Sequence, residues 1–364
     1  MTFFLVFLIL IIVGILLFFN HPKFGASPSA TLKLRFSKLK NYKGTQFQNQ
    51  SFTPSFAEDT NIYRVFYKFF FTKNNRAVPA SQIPNLKSDL KSLDNTKDIL
   101  AWFGHSSYFM NLSGRTFLVD PVFSNSVSPL PVGSKGFKGT HIFNTEDFPD
   151  INYLIITHDH WDHLDFDTLT KMRTKIKNII CPLGVAAHLE HWGFEKHRIF
   201  QLNWDDEFTP EENFKITSVP ARHFSGRGLK RNGTLWSSYV LQTPNRQIFI
   251  GGDSGFDTHF ETIGKKFGPF DLAILEAGQY NLDWKYIHML PEETVLAAKN
   301  LNAKKLLPVH WAKFALAFHD WDEPITRVCE EAEKQNQDLV HPKIGEIIDF
   351  DDLQPGEKWW QRIQ

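Results

Sequence analysis

The stretch THDHWDHLD, residues 157–165, sets three histidines and three aspartates directly behind the apolar run Tyr153-Leu154-Ile155-Ile156. Within it His158, His160, Asp162 and His163 form an H-x-H-x-D-H arrangement. On an extended or tightly looped backbone, residues two apart such as His158 and His160 lean toward one point. Asp162 and His163 are adjacent and diverge toward a second point nearby. Imidazole nitrogen and carboxylate oxygen suit zinc or another borderline divalent metal. Unpaired, such a cluster is costly to hold at the end of a buried strand, and metal ions remove that cost.

The same signature recurs downstream. His223 follows FKITSVPAR, Asp253 follows QIFIGG and His310 follows KKLLPV. An apolar run that ends in a ligand-type residue is how a sheet gathers side chains at one rim. Five histidines and two aspartates are too many for one tetrahedral ion. They divide between two ions with one carboxylate shared.

Around these runs the chain alternates short apolar segments with turn signals: ILAWF, SYFMNL, RTFLVD, YLIIT, NIICP, LWSSYVLQ and DLAILEA. Helical patterns lie between several of them, as in PEETVLAAKNL, where Pro291 and the acids behind it suit a helix start. This implies an α/β layered domain over residues 95–350, with a tail at 351–364. Forty basic residues balance forty acidic ones, so no bulk field points to nucleic acid. The two cysteines, Cys181 and Cys329, fall in separate apolar segments and imply no disulfide framework. Phenylalanine is abundant, 35 of 364 residues, which suits a large core or a lipid-facing groove.

The amino-terminal run Phe3 to Phe19, FFLVFLILIIVGILLFF, carries no polar side chain. As a helix it reaches about 25 Å, at the short end of what crosses a bilayer. No basic region precedes it, so residues 1–20 are expected as an uncleaved single-pass membrane anchor rather than a signal peptide. Lys23, Lys33, Arg35, Lys38, Lys40 and Lys43 follow it and place the body on the cytoplasmic face. Residues 21–94 read as a basic juxtamembrane linker and extension. Within them YRVFYKFFFTK, 63–73, mixes aromatics with Arg64, Lys68 and Lys73 and suits a helix on a membrane surface or against the domain.

The ligand pattern resembles the metallo-β-lactamase superfamily, which implies an αββα sandwich holding two zinc ions or other divalent metals. The resemblance assigns His158, His160 and His223 to one ion, Asp162, His163 and His310 to the other, and Asp253 to both. A closer resemblance runs through WFGHSSYFMNL, FLVDPVFSNSVSP, GTLWSSYVL, GGDSGFDTHFETIGKKFGPFDLAILEAGQYN, WKYIHMLPEETV and PVHWAKFALAFHDWDEP. Over residues 60–350 these segments are similar to the N-acylphosphatidylethanolamine-hydrolysing phospholipase D family. That implies a phosphodiesterase in which metal-generated hydroxide attacks phosphorus, with a phospholipid substrate, a membrane and a homodimer as partners. Metal-dependent lactone hydrolysis, or another hydrolysis on the same scaffold, is the alternative.

The resemblance places Asp162, Asp253 and His288 in catalysis, with His288 near the substrate. His105 is expected near the metals but need not bind them, and Asp120 is expected to orient a metal histidine or to be a plain turn carboxylate before Pro121. Arg222, Arg227, Lys230 and Arg231 surround His223 and suit a lipid phosphate or a solvated basic loop. The chain departs from the family pattern at Glu276 and Gln279, where more apolar and smaller residues are expected. It departs again in the loop ARHFSGRGLKRNG.

Overall fold

A computed structural model describes residues 2–72, 74–129 and 135–363, so Lys73 lies outside the described residues. The chain opens with α1 (Thr2–Phe19), α2 (Ala30–Phe36), the short strands β1 (Tyr42–Lys43) and β2 (Gln46–Phe47), and α3 (Ile62–Phe71). Then follow β3 (Ile99–Trp102), β4 (Tyr108–Leu112), β5 (Arg115–Val119), β6 (Ile151–Ile155), α4 (Phe166–Met172), β7 (Ile176–Pro182), α5 (Ala186–His191) and β8 (Ile199–Leu202). The second half holds β9 (Glu207–Glu211), β10 (Phe214–Val219), β11 (Ser238–Gln242), β12 (Gln247–Ile250), α6 (His259–Phe267), β13 (Phe270–Glu276) and α7 (Pro291–Asn300). It ends with β14 (Ala303–Val309), α8 (Glu323–Gln335), β15 (Asp338–Leu339) and β16 (Ile347–Asp349).

Two seven-stranded mixed sheets result, ordered β16-β3-β4-β5-β6-β7-β8 and β15-β14-β13-β12-β11-β10-β9. In each sheet hairpin-linked strands pair antiparallel, and the strands joined through longer crossovers, β5 to β8 and β12 to β15, pair parallel. The alternation of side chains along a strand divides the core. Phe117, Val119, Tyr153, Ile155 and Ile180 face the second sheet and join its residues in the main core. Their neighbours Leu118, Leu154, Ile156, Ile179 and Cys181 face outward and are covered by Leu169 and Met172 of α4 and Leu189 of α5. On the other side α7 packs on β13 and β14, with α6 and α8 beside it. Four layers follow, helix, sheet, sheet, helix, because strands buried on both faces need a cover on each.

The anchor expected over residues 1–20 is corrected. Among the described residues no helix is long and apolar enough to cross a membrane. α1 has 18 residues and rises about 27 Å, short of a hydrocarbon core of about 30 Å. The cytoplasm-facing placement rested on that anchor and falls with it.

The stretch expected as a linker also folds. Phe36, Tyr42 and Phe47 form an aromatic cluster with Trp204, Leu235 and Trp236, which seats α2 and the β1–β2 hairpin on the domain. Near the other end, Trp359 stacks on Trp311 with ring centroids 5.3 Å apart, so the carboxy-terminal tail braces the residue beside His310. Cys181 and Cys329 are buried and unpaired with each other.

Candidate metal centre

Strand directions bring the chemistry together. β3, β5, β6, β10, β12, β13 and β14 all end at one rim, and His105, Asp120, the 158–163 loop, His223, Asp253, Glu276 and His310 sit at or just beyond those ends. The two sheets are tied there by Ser237 N–H donating to Thr157 O at 3.0 Å and Tyr239 O–H donating to Ile156 O at 2.9 Å. Gly252 lets the exit of β12 pass close by, since a Cβ there would lie 2.9 Å from Thr157 Cβ and from Ser237 O. His105, Asp120 and His310 have φ of 52°, 39° and 67°. Such left-handed non-glycine backbone is strained and persists where surrounding structure holds it. His105 and His310 hold each other: His310 N–H donates to His105 O at 2.9 Å, and His105 N–H to Trp311 O at 2.8 Å.

The seven expected ligands converge in two sets. In one, His160 Nδ1 lies 2.9 Å from His158 Nε2 and 3.2 Å from His223 Nε2. In the other, Asp162 Oδ2 lies 3.7 Å from His163 Nε2 and 3.4 Å from His310 Nε2. Asp253 Oδ2 stands between them, 3.8 and 3.7 Å from His158 and His223 and 3.2 and 3.3 Å from His163 and His310.

Hydrogen bonds on the far side of each ring fix which nitrogen faces inward. His163 Nδ1–H donates to Asp120 Oδ2 at 2.7 Å. Thr157 O–H donates to the same carboxylate, leaving its oxygen to accept His158 Nδ1–H at 3.0 Å. His223 Nδ1–H donates to Ile287 O at 2.8 Å, and His310 Nδ1–H to Gly278 O at 3.3 Å. The Nε2 atoms of all four rings therefore face the centre. His105 Nε2–H donates to Asp162 Oδ2 at 2.8 Å and steadies that carboxylate.

Charge divides along the same line. Burial holds His158 and His223 well below the usual imidazole range and pushes His160 down to about 4, so these three are neutral at neutral pH. Against burial, Asp253, Asp162 and Asp120 hold His163 well above that range. Against burial again, Asp253, Asp162 and Glu276 push His310 up to about 10. Asp162 and Asp253 stay well below the carboxylate range because His163 and its neighbours outweigh burial. His163 Nε2 and Asp253 Oδ1 are buried without a hydrogen-bond partner. Inward-facing imidazole nitrogens, anionic carboxylates and two orphaned buried atoms fit a pair of divalent cations.

Glu276 joins the site, although its sequence position drew notice only as a departure from the family pattern. Oε2 accepts from His288 Nδ1 at 2.6 Å and lies 3.3 Å from His310 Nδ1, while Oε1 accepts from the amides of Ser254 and Met289. A third possible ligand group, Asp253, Glu276, His288 and His310, results. The signal was present: DLAILE is one more apolar run ending in a titratable residue. His188 belongs elsewhere, bonded to Asp159 at 3.2 Å. Trp161 packs beneath the Arg227 guanidinium at 4.0 Å, and Trp236 is buried.

Comparison with known proteins agrees with this geometry. A family model described as Beta-lactamase superfamily domain matches residues 115–311. A protein of Mycobacterium tuberculosis carrying the name uncharacterized protein is 34% identical over 344 residues, 93% of this chain and 92% of the relative. The N-acyl-phosphatidylethanolamine-hydrolyzing phospholipase D 1 of Caenorhabditis elegans is 31% identical over 302 residues, 74% of this chain and 84% of the relative. The metallo hydrolase Igni18 of Ignicoccus hospitalis has the same fold, with a TM-score of 0.53 at 20% identity, over 70% of this chain and 98% of that one. With its ligand-type residues gathered at one sheet rim, the chain belongs to the metallo-β-lactamase superfamily and is a metal-dependent hydrolase of that fold.

Proposed function

We propose that this hydrolase is a zinc phosphodiesterase that cleaves N-acylphosphatidylethanolamine to an N-acylethanolamine and phosphatidic acid. The observation that carries the reading is an apolar groove of about 470 Å³ that opens onto both ligand sets. Asp162, Asp253, His288 and His310 line its floor, and Phe66, Phe69 and Phe70 of α3 line its wall. A charged centre under an aromatic wall suits a substrate with a phosphodiester head and long acyl chains. The similarity to the nematode phospholipase D supports the same reading.

His158, His160 and His223 would hold one zinc ion, Asp162, His163 and His310 the other, with Asp253 contacting both. Two such ions, when bound, supply a hydroxide nucleophile and neutralise a phosphodiester. The protein's own groups do the rest. His105 keeps Asp162 turned inward. Glu276 accepts the Nδ1 proton of His288 and so turns Nε2 toward the groove, where the doubly protonated ring would give its Nε2 proton to the departing ethanolamine oxygen and be left neutral. The α3 aromatics take an acyl chain and exclude water from the reacting phosphate.

The test supplies the purified, zinc-loaded protein with N-acylphosphatidylethanolamine and follows N-acylethanolamine and phosphatidic acid. Release of both supports the reading. Turnover of a lactone with none of the lipid would replace it with lactone hydrolysis.

A further inference from the structure

A second and larger recess, about 900 Å³, lies between the amino-terminal segment and the 226–234 loop. Four basic residues surround His223 in the sequence, and the structure separates them. Arg222 is spent on structure, donating to the carbonyls of Phe256 and Phe52 at 3.1 and 2.9 Å. Arg227 is buried and donates to the carbonyls of Leu164, Asp159 and Lys23 at 2.7, 3.0 and 2.8 Å. Lys230 remains on the recess wall and Lys33 joins it from α2, while Arg231 also lines the recess but donates to Ser55 Oγ at 2.9 Å and lies over the Phe224 ring. Among the described residues no carboxylate pairs with any of the three.

One acid reaches the lining, Asp159, and it is already satisfied. It accepts from Gly226 N–H at 2.6 Å, Thr234 O–H at 2.8 Å and His188 Nε2 at 3.2 Å. The wall thus has surplus positive charge that the floor does not cancel. The rim is apolar: Phe19 and Leu229 line it and are 41% and 87% exposed, with Phe24 beside them. Cations inside and exposed hydrophobes at the lip match an anionic amphiphile better than a free anion.

We propose that this recess is a second, non-catalytic site for a phosphate monoester carried on an acyl chain. The phosphate pairs with Lys33 and Lys230, with the Arg231 charge beside them, and the chain leaves over Phe19, Phe24 and Leu229. Arg231 lines the catalytic groove as well, so the two sites share one wall.

Titration calorimetry on the full, zinc-loaded chain tests this with three probes: dioctanoyl phosphatidate below its micelle concentration, dioctanoyl phosphatidylcholine, and inorganic phosphate. Phosphatidate is expected to bind at least about tenfold more tightly than either other probe. A Lys33→Ala/Lys230→Ala double variant should weaken it by roughly tenfold or more, with unchanged thermal stability. Asp253→Ala should leave phosphatidate binding intact, which separates this site from the catalytic groove. The proposal is overturned if the double variant binds normally or if phosphatidylcholine binds equally well. Inorganic phosphate binding as tightly as phosphatidate would overturn the lipid occupant, and loss in Asp253→Ala would move the lipid to the catalytic groove. Under the proposed function phosphatidate is also the reaction product, and the Asp253→Ala and Lys33→Ala/Lys230→Ala arms tell the recess from the groove.

Discussion

Asp253 offers one oxygen to four imidazoles from two ligand sets, and among the described residues no other does so. Asp253→Ala is therefore expected to lower bound metal below two ions per chain and to abolish turnover. Metal analysis alongside the rate assay checks this, and an unchanged rate would sink the two-ion reading. Asp120 acts one step back, through the ring of His163. Asp120→Asn should weaken metal binding by about 10–100-fold while the fold survives, measurable by competition with a chelator. A third expectation concerns protons. His310 is raised from 6.5 to about 10 in the metal-free protein. Its stabilising contribution is complete below about pH 6.5 and is lost as pH climbs through about 10. A metal must displace that proton, so affinity should rise with pH across the same window, and uptake at neutral pH should release protons. Calorimetry in buffers of different ionisation enthalpy reads that release. At this scale most of the centre was legible, since each ligand ends an apolar run. Glu276 ends one too, yet similarity to a family drew attention to its difference and away from its place. The partners of the rings were less legible, because the Ile287 and Gly278 carbonyls carry no side-chain signature.

α3 shows what an element adds. Val65 is its buried residue, while Phe66 and Phe70 are 57% and 70% exposed and line the groove. Packing alone does not account for so much exposed aromatic surface. Phe66→Ser/Phe70→Ser should raise KM for a long-chain lipid by about tenfold or more. It should leave the rate on a short, water-soluble diester near normal. Equal loss on both substrates would mean that α3 supports the fold instead. A second element-level tie is Arg227, which joins the 158–164 loop to the segment behind α1. Arg227→Met strands the buried carbonyls of Asp159 and Leu164 and should cost at least about 2 kcal/mol, read by denaturant unfolding. Strands and sheet rim were readable from alternation and turn residues. The folded part of residues 21–94 was not, because its aromatics pack on distant Trp204 and Trp236 and follow no local period.

At the scale of the whole molecule, α1 stands apart from the two-sheet body. Phe3, Leu10 and Leu17 are 94%, 64% and 69% exposed, and ring contacts with Phe24 join its last turn to the body. Removing residues 1–17 should change unfolding free energy by no more than about 0.5 kcal/mol and leave metal content unchanged. A large loss would show that the helix is structural. Hydropathy alone gave the helix its apolar character, but the margin between spanning and falling short is a few residues. The two thiols have a separate consequence. Cys181 sits in the outer core under α4 and α5, and Cys329 on the inner side of α8, and burial raises both, Cys329 to about 11. Neither is a thiolate at neutral pH, so maleimides and oxidants should pass the native protein by. A single cysteine placed at exposed Tyr67 would then be the one reactive handle, and a spin label there would report the distance from α3 to a paramagnetic divalent ion loaded at the centre without first rebuilding the protein.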